Sequence, residues 1–250
     1  LSALCPEDNE VTIDRKIRIV TAFIDILIAR RLWNFRLVAY STMQYAMFLI
    51  MRDIRRKPLP DLMQILKDRL NADDEDFSSN DRLKVHQQNR YAIQELLARM
   101  TDFIERESGQ KSRFEEYVAQ GKNRYEVEHI WANHFERHQD EFSHEQDFQD
   151  FRNRIGGLLI LPKSFNASYS DLPYEAKLEY YIGQNLLAKS LHPLCYKRNP
   201  GFLRFIKKQK LHFKYHKHFV KEDLEARQQL YKKIAEILWS PDRLDQEAAS

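Results

Sequence analysis

Two short stretches decide how this chain is read, Tyr125-Glu-Val-Glu-His-Ile130 and Gly156-Gly-Leu-Leu-Ile-Leu161. The first alternates polar and apolar side chains. The second is a compact apolar run bounded by a Gly-Gly pair and Pro162, so both are predicted to be strands. Between them, Phe135 to Arg152 is polar and acidic with Phe142, Phe148 and Phe151 widely spaced, the pattern of an inserted helix or loop. Beyond the second run, Ala176, Leu178, Tyr181 and Leu186 predict a helix over Pro173 to Leu187. Strand, insertion, strand, helix is the order of elements in this part of the chain.

Working outward, the flanks read as helical. Ile13, Ile17, Val20, Phe23, Ile24 and Leu27 recur at a helical period between Val11 and Arg31, and Leu37 to Ile50 gives a second helix that Pro58 and Pro60 stop. Leu62 to Leu70 forms a third, Asn71 to Asn80 an exposed polar connection, and Asp81 to Glu105 a further helix. Ser108-Gly-Gln-Lys-Ser112, short, polar and glycine-bearing, is the expected domain boundary. At the other end, Leu224, Leu230, Ile234 and Leu238 make an amphipathic helix of Lys221 to Leu238, expected to pack back on the second domain. The expectation is a mainly α chain with a small β-hairpin: a helical bundle over residues 1–110, then a second domain over 111–250.

Composition agrees with this. Six Gly and eight Pro in 250 residues are too few for a chain of short strands and tight turns, which excludes an all-β sandwich or barrel. At 31% charged and 12% aromatic the chain is expected to be folded and soluble. Its longest charge-free stretch, Leu37 to Met51, falls short of the about 20 apolar residues of a membrane span and predicts a core helix, with no membrane partner. Cys5 and Cys195 stand far apart without a disulfide or zinc spacing, so a reducing cytoplasm is the expected location. The chain opens on Leu1 without a signal-peptide pattern, and we expect an upstream part to be missing.

Charge is distributed unevenly behind a formal net of +3. Between Glu179 and Glu222 there is no acidic residue, while Lys189, Lys197, Arg198, Arg204, Lys207, Lys208, Lys210, Lys214, Lys217 and Lys221 all fall there, so the rest of the chain is net acidic. Tyr196, Phe202, Phe205, Phe213 and Tyr215 are interleaved with them. Cations beside aromatics suit a polyanion, through counterion release and stacking on sugar or base. The plainer alternative is a solvated face whose aromatics pack the core.

Glu128-His129 at the end of the first predicted strand is the sharpest chemical feature. A carboxylate is a hard ligand for Mg²⁺, and a neutral imidazole takes a proton from water near neutral pH. By itself such a pair is common, and a structural role is the default. Neighbours on an ideal strand also point to opposite faces, so serving one site requires the strand to end or bulge there. His134, His138 and His144 form a second group. His134 and His138, four apart, would share a helix face, but no third ligand completes a tetrahedral set. Trp131 and Trp239 are expected in the core.

With the segment Asn153-Arg-Ile-Gly-Gly-Leu-Leu-Ile-Leu-Pro-Lys-Ser-Phe-Asn166 and the following Tyr174-Glu-Ala-Lys177, the Glu128-His129 pair resembles the HNH, or His-Me finger, endonucleases. More narrowly, Phe114 to Trp239 resembles the C-terminal nuclease domain of GmrSD-type modification-dependent restriction enzymes, and the helices before it resemble that domain's linker. The resemblance implies a ββα-metal nuclease domain with flanking helices, cutting DNA phosphodiester bonds. It implies Mg²⁺ or Mn²⁺ on Glu128 and Asn166, His129 as general base and Lys177 near the phosphate. Lys163, Lys197, Arg198, Arg204, Lys207, Lys208 and Lys210 are the expected DNA contacts. Modified cytosine as the target, a role in phage defence and an upstream nucleotide-binding domain are further implications. Two departures stand out: Ala132 or Asn133 where the family often has Pro, and Gly157 where it has Asn, so that another group must orient the base if that Asn does so in relatives. The competing readings are a catalytically inactive nucleic-acid-binding module of the same fold and a purely helical interaction scaffold.

Overall fold

The computed structural model describes residues 1–249, which divide into two compact units: residues 1–80 with 235–249, and residues 81–234. The division falls at Asn80–Asp81 rather than in the glycine-bearing stretch at 108–112, because the next long helix belongs to the core of the second unit.

In the first unit, α1 (Glu10–Trp33) opens on Asn9, whose side chain accepts the Thr12 amide at 2.9 Å, and buries Ile19, Phe23, Ile26 and Trp33. Next come α2 (Tyr40–Asp53) and α3 (Leu59–Asn71). Pro60 lies in the first turn of α3, where a missing amide costs nothing, so it starts this helix as well as separating it from α2. Leu62, Leu66 and Leu70 line the buried stripe of α3, while Phe77 from the polar connection stands edge-on to Trp33 and stacks on Trp239. The expected core helix is not one: α2 buries only Ile50, and Tyr40 and Tyr45 are 79% and 71% exposed. Its apolar residues cover every face instead of one stripe, and a surface helix buries only the stripe that meets its neighbours.

In the second unit, residues 81–89 are not the start of a helix. Leu83 is fully buried, and Lys84 forms an isolated antiparallel bridge with Arg154, flanked by Val85 N donating to Asn153 O (2.8 Å) and Ile155 N to Leu83 O (2.9 Å). Only then does α4 (Arg90–Glu107) begin, with Ile93, Leu97, Met100 and Ile104 facing the core. After α5 (Phe114–Val118), strand β1 (Tyr125–His129) pairs antiparallel with β2 (Leu158–Pro162), in register from Tyr125 opposite Pro162 to His129 opposite Leu158. The insertion contains α6 (Glu145–Arg152). All of Leu158 to Leu161 is buried, which explains an apolar run without alternation.

Two short helices follow, α7 (Lys163–Tyr169) and α8 (Tyr174–Tyr181), and the single helix expected to reach Leu187 breaks at Ile182–Asn185 before α9 (Leu186–Lys189). Then come α10 (Pro200–Lys208), α11 (Lys221–Leu238) and, in the first unit, α12 (Arg243–Ala249). A Cβ on Gly156 would lie 2.5 Å from Gln228 N and Leu224 O of α11, so only glycine permits this approach. The protein is thus mainly helical with one small antiparallel hairpin. No helix among the described residues is long and apolar enough to cross a membrane, and Cys5 and Cys195 are free thiols.

Candidate active site

Strand β1 ends at His129 and carries no bulge, so its last two side chains diverge. Glu128 turns into the core at 3% exposure, where its Oε1 accepts a 2.6 Å hydrogen bond from Lys177 Nζ. Lys177, on α8, has no exposed surface, and its ammonium also donates to the His129 carbonyl at 2.8 Å. Burial raises the Glu128 carboxyl and lowers the Lys177 ammonium, and each partner's charge opposes that shift in the other. The ion pair ties α8 to the end of β1. Lys177, expected near the phosphate, is instead enclosed in protein.

His129 takes the other face of the strand, with Val127, and lines a cavity of 210 Å³. Its Nε2 lies 2.9 Å from Asn153 Oδ1. An amide oxygen only accepts, so Nε2 carries the proton and Nδ1 is left with its lone pair. Burial first, then the nearby Arg152 cation, pushes the His129 pKa down to about 3, against the Asn153 hydrogen bond, and the imidazole is neutral at physiological pH. Arg152 donates from Nε to the Trp131 carbonyl at 3.1 Å, and burial pushes it down to about 10. Asn153 is the residue sequence reading passed over: it stood at the head of the quoted motif without a role. It holds the imidazole through Nε2, and the nearby Gly157 position is filled, a Cβ there meeting Leu224 Cδ1 at 3.0 Å and Arg152 O at 3.2 Å.

Asn166, the other expected metal ligand, lies within α7, where its Nδ2 reaches the Val127 carbonyl at 3.5 Å, two residues before His129. Its Oδ1 is buried without a hydrogen-bond partner. These donors fit a hard divalent ion in part. An unpartnered amide oxygen is the ligand such an ion takes, whereas Glu128 would first have to exchange its ammonium partner. Among the described residues no three His, Cys, Asp or Glu side chains are grouped to hold a metal. That includes the second histidine group: His134 pairs with Glu136 and Asp171, and His138 with Glu141 while lying against Trp131. Trp131 and Trp239 are core residues, both 2% exposed.

The seven cations expected on DNA are all exposed. Most of them cluster away from His129, because α10 packs through Phe205 on Phe103 and through Gly201 beside Ser108, at the far end of α4 from Arg90. At 1.5 Å rise per residue, that separation along α4 is about 20 Å. Phe202 and Phe205 face inward on α10, and Arg204, Lys207 and Lys208 outward.

Searches of curated proteins and of solved structures returned no match. The description "GmrSD restriction endonucleases, C-terminal domain" matches residues 70–234, more than half of the chain and all of the hairpin, α7, α8 and the basic segment. The chain therefore belongs to the family of GmrSD restriction endonuclease C-terminal domains.

Proposed function

We propose that this chain is an HNH-type endonuclease domain that hydrolyses DNA phosphodiester bonds, with His129 as general base. The observation that carries the reading is the neutral imidazole in the wall of a cavity, held by Asn153 through Nε2 so that Nδ1 keeps its lone pair. Water beside Nδ1 gives up its proton as its oxygen attacks phosphorus, and the 3′-oxygen leaves. Mg²⁺ or Mn²⁺ would be held by the unpartnered Asn166 Oδ1, with Glu128, expected as its second ligand, kept out by its pairing with Lys177; the ion would supply charge neutralisation at the phosphate and the leaving oxygen. Glu128 and Lys177 meanwhile fix the end of β1, because Lys177 grips both the carboxylate and the His129 carbonyl.

Affinity for the duplex would come from Lys163, Lys197, Arg198, Arg204, Lys207, Lys208 and Lys210, exposed cations that make no ion pair among the described residues. The family likeness supports three further parts of this reading: a modified cytosine target, a cytoplasmic defence role, and an upstream nucleotide-binding domain that controls cleavage.

The Glu128–Lys177 pair favours a second reading, a DNA-binding module without activity, since the acidic ligand is already neutralised. Supercoiled plasmid, unmodified and cytosine-modified, incubated with Mg²⁺ or Mn²⁺ separates the two. Nicking abolished by EDTA and by His129→Ala supports the nuclease. Salt-dependent binding without cleavage on every substrate supports the inactive module.

A further inference from the structure

The geometry points to Arg90 as the residue that holds the scissile phosphate against His129, an inference that rests on the nuclease reading above. The site would then be closed by residues 84–90, which precede the two-strand motif in the chain. The 210 Å³ cavity is lined by His129, Asn153 and Val127 together with Val85, His86, Gln87 and Arg90 of that segment.

Several interactions bring that segment to the site. The Lys84–Arg154 bridge and the Val85–Asn153 hydrogen bond join it to the residue that orients His129, and Lys84 pairs with Asp150. Asn89 then locks the turn, its Oδ1 accepting from His86 N at 2.8 Å and its Nδ2 donating to Lys84 O at 3.0 Å. Arg90 follows as the first residue of α4, fixed by an 18-residue helix.

Three cations act on His129: Arg152, Lys177 and Arg90. Lys177 is enclosed with its ammonium already shared between Glu128 and the His129 carbonyl. Arg152 is turned to the Trp131 carbonyl. Arg90 alone of the three is exposed, and among the described residues its side chain makes no hydrogen bond or ion pair. A neutral histidine offers a phosphodiester no charge, whereas a guanidinium offers paired N–H donors that match two phosphate oxygens. An uncommitted guanidinium lining the same cavity as a neutral base can hold two phosphate oxygens beside the water that the base would deprotonate.

The test compares wild type with Arg90→Gln, Arg90→Lys and the remote exposed control Lys111→Gln. Two readouts are taken: single-turnover cleavage of supercoiled plasmid, and shifts of the His129 ring NMR signals on titration with thymidine 3′,5′-bisphosphate. Arg90→Gln is expected to slow cleavage about 100-fold or more, with DNA affinity falling much less. Arg90→Lys should recover part of the rate and Lys111→Gln should leave it unchanged. The bisphosphate should shift the His129 signals in wild type and not in Arg90→Gln. Wild-type cleavage by Arg90→Gln, or a bisphosphate response that does not depend on Arg90, overturns the inference. If wild type cuts nothing, the nuclease reading falls, and the bisphosphate titration still decides whether Arg90 holds phosphate.

Discussion

The two faces of β1 handle adjacent ionisable side chains in opposite ways. On one face Glu128 is buried with its charge matched by Lys177, and on the other His129 is kept neutral and open to a cavity. The first arrangement is tolerable because the ammonium contacts both the carboxylate and a backbone carbonyl, so little polarity is left uncompensated. The second is tolerable because the group gives up its charge instead of finding a counter-ion. Burial therefore does not say what a titratable residue is for, and the partner does: a counter-charge makes Glu128 a brace, while an amide oxygen fixes which His129 nitrogen carries the proton and leaves the other with its lone pair.

Removing one half of the brace should have the largest effect on stability. Lys177→Met leaves Glu128 buried and unpaired, and urea unfolding should show a loss of about 3 to 5 kcal/mol. Glu128→Gln together with Lys177→Met should restore much of it, since no unpaired charge then remains. If the single variant unfolds like wild type, the pair is not a brace.

Packing behind the hairpin comes next. Gly156→Ala forces a methyl into the α11 backbone and should cost about 1 to 3 kcal/mol or more in the same assay. On the open face, Asn153→Ala should leave stability nearly unchanged and slow cleavage roughly 10- to 100-fold, because the imidazole loses the partner that selects its tautomer. Equal cleavage by this variant would mean that something else orients His129.

The most gradual effect concerns acid. His129 and His216 are held neutral, burial pushing them down to about 3 and about 4 from 6.5. The unfolded chain takes up those protons below about pH 6.5 and the folded chain does not, so stability falls as pH drops from 6.5 toward 4. For His216 the slope is at most about 1.4 kcal/mol per pH unit. His216→Gln should flatten this loss in denaturation curves collected across that range, and an unchanged slope would show that His216 takes up its proton in the folded state too.

Much of this comparison was legible in the sequence, and its limits are physical. Alternation and the Gly-Gly boundary located both strands, because a hairpin's pattern is local. The exposure of α2 was not legible, since an apolar composition does not say which face meets a core. The helix expected from Asp81 was preempted by pairing with residues 153–155, seventy positions away, which no local pattern reports. The same distance hid Asn153 and Arg90. Lys177 was named through the family resemblance, which does not report the buried carboxylate that pairs with it.

The most direct test of the contrast between the two faces is single-turnover plasmid cleavage by wild type, His129→Ala and the Glu128→Gln, Lys177→Met double variant, each first shown to be folded. A general base contributes about 100- to 10,000-fold, so His129→Ala should lose cleavage by that factor. The folded double variant should retain most of it. A folded double variant as inactive as His129→Ala would contradict the account, because Glu128 would then act in the chemistry and not as a brace.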